Sequence, residues 1–366
     1  MASAASDPPT TPPSALRRVL PKLAISLALG ALFAWLVNRG GVPLIPPAEA
    51  FGEVAWWAVP VYLLTTLATH LFRATRWRFL IRPVKDDIPL RDAILINWIG
   101  FFAIFALPLR LGELARPALT KIRHGVSISA GLGTVAVERV IDGMVTSLCV
   151  VWALVALPQL PTADKLAQSL PYYGTFAVSA FAAAFIALAL FLWQRELAVA
   201  LVKSTLGRFS PRLGALVASK ILGVADGVRS IARPRLALAF LFESLVYWGL
   251  NALGMWLLGW GCGLDMSFGH ALGLMGILAI GILLPAGPGL FGNFQLSLST
   301  ALKLYFAAAI VGIEGAVYIF LMYATQAVVI TLAGVVPLYA LKLSFSDLLR
   351  TSSPDERAPE DLAQTG

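Results

Sequence analysis

The residues of this chain that could do chemistry are charged side chains placed close together in an otherwise apolar sequence. Hydrophobic residues make up 58% of the 366 residues, and charged residues make up 13%. A charge at the centre of a bilayer costs roughly 3 kcal/mol on insertion scales, so such residues persist where they pair, line a polar cavity or bind a substrate. Alternatively, some of them lie at the membrane–water boundary and only anchor helices. The cluster consists of Arg110, Glu113, Arg116, Glu138, Arg139 and Asp142.

The members of this cluster carry complementary charges. Glu138 and Asp142 are four residues apart and would share one face of a helix, with Arg139 about 100° round from Glu138. Two carboxylates on one face need a cation, and Arg110 and Arg116 are the nearest candidates in the sequence. Because the three acids and three bases of the cluster can balance, we expect one buried polar network. A guanidinium group also binds phosphate in a bidentate manner, so a phosphate-bearing ligand could compete for these arginines.

A short motif, Leu-Pro-x-x-x-Gly, interrupts an apolar run once in each half of the chain, at residues 107–112 and 284–289. Proline removes a backbone donor, and glycine permits the close approach of another chain or a ligand. Paired interruptions are typical of transporter sites built from inverted repeats, although such pairs are also common in membrane proteins. We expect the breaks to meet in mid-membrane, with helix N-termini and neutral side chains available to a headgroup. The residues of this prediction are Gly112, Pro285, Pro288, Gly289, Asn293 and Gln295.

Outside these segments few residues could do chemistry. Glu243 and Lys303 lie inside apolar segments, where they either pair with each other or take part in proton coupling. The histidines are scattered, the two cysteines are isolated, and neither a nucleophile elbow nor a nucleotide-binding loop occurs. We therefore expect no catalytic residue, no metal and no cofactor. The sequence pI of about 9.7 suits an anionic lipid surface better than nucleic acid.

Long apolar runs predict an all-α, polytopic membrane helical bundle. A helix needs ~20 mostly apolar residues to cross the hydrocarbon core, and the mean hydropathy of the chain is +0.79. A further run, Ala93–Leu107, is short and is followed by basic residues, so we predict a re-entrant segment that turns back at Pro108. The eight predicted crossings are Leu20–Val37, Val54–Phe72, Gly131–Leu157, Tyr172–Trp193, Leu236–Leu258, Ala271–Leu284, Leu290–Val311 and Gly315–Leu341.

Positive charge predicts the orientation, because cytoplasmic loops are enriched in lysine and arginine. Basic residues precede the first span, follow the second and fill residues 195–235, which places both termini in the cytoplasm. The membrane domain is predicted over residues 16–345, between disordered cytoplasmic ends at 1–15 and 346–366. Within it, apolar residues at helical spacing predict an amphipathic helix over about 211–233. This helix either lies along the inner leaflet or packs against the cytoplasmic ends of the spans.

The charged segments resemble a bacterial flippase-like family named for the membrane region of lysyl-phosphatidylglycerol synthase. The second break, at residues 285–295, is similar to the family's Pro-Gly-x-x-Gly-x-Phe-Glu segment, and residues 73–77 (Arg-Ala-Thr-Arg-Trp) also fit. The resemblance covers about residues 16–345. The family pattern, arginine-x-Gly-Glu-x-x-Arg-Pro followed by Glu-Arg-x-x-Asp, matches Arg110, Gly112, Glu113, Arg116, Pro117, Glu138, Arg139 and Asp142.

This resemblance implies lipid translocation in the bacterial inner membrane, with two departures. Gln295 stands where the family usually has glutamate, which argues against a proton-dependent role for that position. The sequence also carries no soluble aminoacyltransferase domain after the membrane region, so we do not expect it to make lysyl-phosphatidylglycerol.

Three hypotheses follow from the residues and the resemblance together. The first is a translocator that moves a polar or anionic lipid between leaflets. The second is a membrane-embedded lipid-modifying transferase that uses Glu138 or Asp142 as a base or metal ligand. The third is a non-transporting scaffold whose partners are lipid-synthesis or glycosyltransferase enzymes. The expected ligand in the first case is a membrane lipid with an anionic or polar headgroup.

Overall fold

The structure is a computed structural model that describes residues 15–161, 165–284 and 286–343, and the regular elements within these ranges are helical. Pro285 and the predicted tail at 346–366 lie outside these ranges, as does nearly all of the predicted N-terminal segment at 1–15. The helices are α1 (Ala15–Arg39), α2 (Ala58–Ile81), α3 (Leu90–Ala106), α4 (Ala115–His124), α5 (Ile128–Ala156), α6 (Lys165–Gln168), α7 (Leu170–Trp193), α8 (Arg195–Phe209), α9 (Pro211–Val228), α10 (Pro234–Gly261), α11 (Phe268–Gly281), α12 (Asn293–Tyr305), α13 (Ala308–Gly312) and α14 (Glu314–Ala340).

Five stretches are long and apolar enough to cross a membrane, and they correspond to α1, α5, α7, α10 and α13–α14. Their outer faces are apolar and exposed, as in lipid-facing helices: only 11% of the most apolar window in Tyr172–Phe191 is buried. Another long helix, α2, has 24 residues and carries arginines in its second half. The predicted polytopic helical bundle is therefore confirmed.

Helices α3 and α4 form a hairpin, here called hairpin 1 (residues 90–124). The carboxylate of Asp92, near the start of α3, lies 3.1 Å from His124 Nε2 and 3.6 Å from Arg123 Nε, at the end of α4. The hairpin turns through a 3₁₀ segment at Pro108–Leu114. A Cβ atom at Gly112 would lie 2.1 Å from the carbonyl carbon of Ala103, so this turn requires glycine. The predicted turn at Pro108 is therefore present, and that the hairpin enters and leaves the membrane on one side stays a prediction.

Helices α11 and α12 form a second hairpin, here called hairpin 2 (residues 268–305). At a rise of about 1.5 Å per residue, helices of 14 and 13 residues are about 20 Å long, shorter than the ~30 Å hydrocarbon core. The His270 and Tyr305 rings, at the open end, are 5.0 Å apart. At the tip, Asn293 Nδ2 donates to the Gly281 carbonyl over 2.9 Å. Residues 271–284 and 290–311 were predicted as two separate crossings, and the structure corrects this to one hairpin.

With α2 added to the five apolar stretches, the described ranges hold six long helices against the eight predicted crossings: α1, α2, α5, α7, α10 and α14. An even number keeps Ala15 and Leu343 at the same end of the bundle. This end also holds the basic segments that follow α2 and precede α10, and it is called the basic end below.

The crossings and hairpins are arranged as two inverted repeats, α2–hairpin 1–α5 and α10–hairpin 2–α14. Helices α2 and α10 pack side by side. They are antiparallel, as is shown by the hydrogen bond from the N–H of Ala55, just before α2, to the carbonyl of Gly261, at the end of α10. Hairpin 1 consequently enters from the basic end and hairpin 2 from the opposite end. Each hairpin packs against the other repeat, α3 on α14 and α11 on α5.

Helix α9 packs its small residues against the start of α5. A Cβ at Gly227 would lie 2.1 Å from the Ala130 carbonyl oxygen, and one at Gly133 would lie 2.4 Å from that of Val224. Leu213, from the predicted apolar stripe, is 54% exposed on the other side. The amphipathic helix was predicted either to lie along the inner leaflet or to pack against the ends of the spans. Its contact with the start of α5 is of the second kind.

Candidate functional site

Helix α5 presents two carboxylates to the interior of the bundle. Glu138 and Asp142 lie on one face, as their spacing predicts, and their exposed fractions are 0% and 7%. Carboxylates buried to this degree need cations and hydrogen-bond donors around them. The neighbouring helices supply both.

The main partner of Asp142 is Arg76, on α2. The guanidinium group makes a bidentate contact, with Nη1–Oδ1 and Nη2–Oδ2 distances of 2.7 Å each. Nη2 also lies 3.4 Å from Glu138 Oε1, and Nη1 donates to Ser244 Oγ over 3.0 Å. Trp248 Nε1 donates to Asp142 Oδ1 over 3.0 Å. Bidentate arginine–carboxylate pairs of this kind fix orientation as well as charge.

Sequence reasoning did not place Arg76 in this network. The second span was predicted to end at Phe72, and the arginines after it were assigned to a basic loop. Helix α2 instead continues to Ile81, so Arg76 lies inside the bundle with an exposed fraction of 0%. The spacing of Arg73 and Arg76, three residues apart on one continued helix, was the signal that could have found them.

Glu138 is held by two further arginines, both predicted. Arg116 Nη1, from hairpin 1, lies 2.7 Å from Glu138 Oε2 and donates to Asn97 Oδ1 over 2.8 Å. Arg139 Nη2 donates to Glu138 Oε1 over 2.8 Å and lies 3.9 Å from Asp142 Oδ2. The network therefore ties hairpin 1 and α2 to the middle of α5.

Hairpin 1 places one more predicted residue beside the network. Glu113 lines the cavity described next, together with Arg139 and Asp142. Gly112 shapes the turn itself. The side chain of Arg110 lies outside the described part of the structure, so its predicted role in the network stays a prediction.

A cavity of about 350 Å³ lies where the tips of the two hairpins meet. Its lining combines charged and polar side chains with apolar ones, and the two kinds lie next to each other, since Arg73 of α2 lies over the Phe101 ring of hairpin 1. The charged, hydroxyl-bearing and indole lining residues are Arg73, Glu113, Arg139, Asp142, Thr146, Tyr247 and Trp248. The other lining residues are Phe101, Ile104, Phe105, Gly143, Phe181, Ala279, Ile282, Leu283, Leu290 and Ile330.

Leu290 of the second break lines this cavity, but the predicted polar residues Asn293 and Gln295 form hydrogen bonds within hairpin 2. Gln295 Oε1 accepts from the N–H of Gly292 over 2.8 Å and so caps the start of α12. Asn293 Nδ2 donates to the carbonyls of Gly281 and Leu284. These amides therefore hold the turn together, and neither side chain lines the cavity.

Glycines let the second break bend and approach its neighbours. Gly289, next to Pro288, has φ +73°, and a Cβ there would lie 3.3 Å from the Phe105 ring of hairpin 1. A Cβ at Gly30 of α1 would lie 3.1 Å from Gly287 Cα. The two breaks are thus neighbours in space, with Phe105 of hairpin 1 against hairpin 2.

Glu243 and Lys303 lie towards opposite ends of the bundle. Glu243 Oε2 accepts from Thr75 Oγ1 over 2.6 Å, between α10 and the basic half of α2. Lys303 Nζ donates to the carbonyl of Gly40 over 2.9 Å, just after α1 at the other end. The predicted pairing of these two residues is therefore not found.

Comparison with known proteins agrees with the resemblance noted in the sequence. A family model described as the lysylphosphatidylglycerol synthase TM region matches residues 23–338. Because this match covers most of the chain, the chain belongs to that family. No curated protein and no solved structure matches it. Family membership and the apolar helices together identify a multi-pass membrane protein.

Proposed function

We propose that this member of the lysylphosphatidylglycerol synthase TM family translocates a lipid with a polar or anionic headgroup between leaflets. The observation that carries the proposal is the cavity between the hairpin tips, whose lining is partly charged and partly apolar. A headgroup is polar, whereas the acyl chains are apolar, so a lipid matches a cavity that offers both kinds of surface. Ligand sites at the junction of inverted repeats are typical of transporters.

The fold supplies the means for such a site to open towards either side. The hairpins enter from opposite ends, and each packs against the other repeat. Rocking of one repeat against the other would therefore separate one hairpin tip from its neighbours at a time. Ion pairs from Arg116 and Arg76 hold the helices around the cavity together, since their guanidinium groups bridge hairpin 1 and α2 to α5.

The proposal extends to orientation and location. The basic end carries most of the arginines outside the network, so the positive-inside rule places it in the cytoplasm. Both ends of the described chain would then be cytoplasmic, in a bacterial inner membrane. A lipid from the inner leaflet would approach the cavity from that side.

The transferase alternative is less consistent with the geometry. A general base or metal ligand needs carboxylate oxygens that are available to water or a metal. Asp142 accepts from Arg76 through both oxygens, and Glu138 has arginine nitrogens at 2.7 and 2.8 Å. We therefore assign these carboxylates a positioning role rather than a catalytic one.

Purified protein reconstituted into liposomes with fluorescent lipids tests the proposal. Wild-type protein should expose inner-leaflet lipid to an outside quencher faster than protein-free liposomes do. Ala279→Phe places a ring in the cavity, so it should slow this movement several-fold. Val155→Phe is the matched control, because Val155 is 84% exposed on the outer surface. Chemical conversion of the lipid, or equal rates with and without protein, would contradict the proposal.

A further inference from the structure

Arg73 differs from the other arginines of the site because none of the described carboxylates forms an ion pair with it. Its guanidinium carbon lies 3.6 Å from the centre of the Phe101 ring and 5.9 Å from that of Tyr247. Its Nε atom is buried and donates no hydrogen bond within the described residues. The aromatic rings attract the cation and fix its plane, but they carry no charge to balance it.

Counting the described side chains leaves the site with an excess positive charge. Four arginines face three carboxylates, so the difference is one positive charge. Glu243 is not counted, because it accepts from Thr75 Oγ1 and forms no ion pair with any of these four arginines within the described residues. The residues counted are Arg73, Arg76, Arg116 and Arg139 against Glu113, Glu138 and Asp142.

A second unused donor belongs to another residue that lines the cavity. Arg139 lines it, and the Nε atom of Arg139 is also buried and without a hydrogen-bond partner among the described residues. Two guanidinium edges with unused donors, in a cavity that carries excess positive charge, match an anion with several acceptor oxygens. The apolar residues in the same lining disfavour a ligand that is polar throughout.

We propose that Arg73 recognises the phosphodiester of a glycerophospholipid headgroup in this cavity. The proposal rests on the proposed function only for the lipid nature of the ligand. A phosphodiester carries one negative charge, which balances the excess among the described side chains, and its oxygens accept from Arg73 and from Arg139 Nε. The Phe101 ring, 3.6 Å from the Arg73 guanidinium carbon, restricts the position of this group before the lipid binds. Neutral glycolipids offer no such charge and should bind weakly.

Thermal unfolding of the purified full chain in detergent, with and without short-chain probes, tests this role. Dihexanoyl-phosphatidylglycerol should stabilise the wild type, whereas dihexanoylglycerol, which lacks phosphate, should not. Arg73→Gln should weaken binding of dihexanoyl-phosphatidylglycerol about tenfold or more, as expected for loss of a charge-assisted hydrogen bond. Without lipid, Arg73→Gln should be at least as stable as the wild type, because it removes an unbalanced charge. Arg82→Gln, exposed just after the same helix, is the control and should bind normally.

Several outcomes would overturn the proposal. Wild type that does not bind dihexanoyl-phosphatidylglycerol, or Arg73→Gln that binds it equally well, removes the role of Arg73. An Arg73→Gln protein that is much less stable without lipid would show that this arginine is structural. Equal stabilisation by inorganic phosphate would assign the cavity to a soluble anion instead of a lipid.

Binding and translocation separate this proposal from the proposed function. If the wild type binds the lipid through Arg73 but does not move it between leaflets, the proposed function fails and the recognition role stands. If Arg73→Gln moves phospholipid as fast as the wild type, the recognition role fails and the proposed function stands.

Discussion

Replacing Arg76 by methionine tests whether the buried network holds the bundle together. Methionine has similar length and no charge, so the change leaves Asp142 without its bidentate partner. Removing one partner of a buried ion pair costs about 3–5 kcal/mol. Asp142 keeps Trp248 at 3.0 Å and Arg139 at 3.9 Å. We therefore expect a loss near the lower end of that range, about 3 kcal/mol in the free energy of unfolding.

The matching double variant isolates the contribution of the pair. Asp142→Asn removes the other charge, and Arg76→Met combined with Asp142→Asn should cost less than the sum of the single changes, by about 1–3 kcal/mol. Equilibrium unfolding in mixed detergent micelles measures each value. Arg82→Met, exposed just after α2, is the control and should change the free energy by less than about 0.5 kcal/mol. A stable Arg76→Met protein, or additive losses in the double variant, would refute the reasoning.

Two further predictions concern hairpin 1. Gly112→Ala should lower the free energy of unfolding by about 1–3 kcal/mol through overpacking, because its Cβ would meet backbone at 2.1 Å. Gly249→Ala, with no heavy atom within 4 Å of the new Cβ, should be neutral or stabilising by up to about 1 kcal/mol in the same unfolding assay. In a cysteine-free background, single cysteines at Lys121 and Ser204 should be labelled from one side of the membrane, and one at Asp265 from the other. Opposite-side labelling of the first two positions would exclude the re-entrant hairpin.

The sequence predicted hairpin 1 but not hairpin 2, and the difference has a physical cause. The run ending at Leu107 is followed at once by arginine and lysine, which resist translocation and so imply a return to the same side. The run 271–284 is followed by uncharged residues, mainly proline and glycine, so the positive-inside rule does not indicate whether the chain crosses or turns back. Its length resembles that of a short crossing, and only tertiary contacts, such as the one between the His270 and Tyr305 rings, show that the chain turns back.

The roles of individual side chains also divide into those that local spacing predicts and those that depend on how the helices pack. Spacing along one helix is a local property, so the shared face of Glu138 and Asp142 followed from the sequence. The choice of Arg76 as their main partner depends on how α2 packs against α5, which no local pattern specifies. Gln295 shows the converse, since an amide that caps a helix and an amide that binds a ligand look the same in a sequence.

The two hairpin tips of the inverted repeats are held by different interactions. Arg116, at the start of α4 beside the first tip, is tied to α5 by an ion pair with Glu138. The second tip is held by close backbone packing of Gly287 against Gly30, and by the Ser26 hydroxyl, which donates to the Ala286 carbonyl. Both tips border the same cavity, but hairpin 1 contributes the carboxylate of Glu113 beside three apolar side chains, whereas the described lining residues of hairpin 2 are all apolar. Topologically equivalent hairpins thus supply unlike surfaces to a single site, which suits an amphipathic ligand.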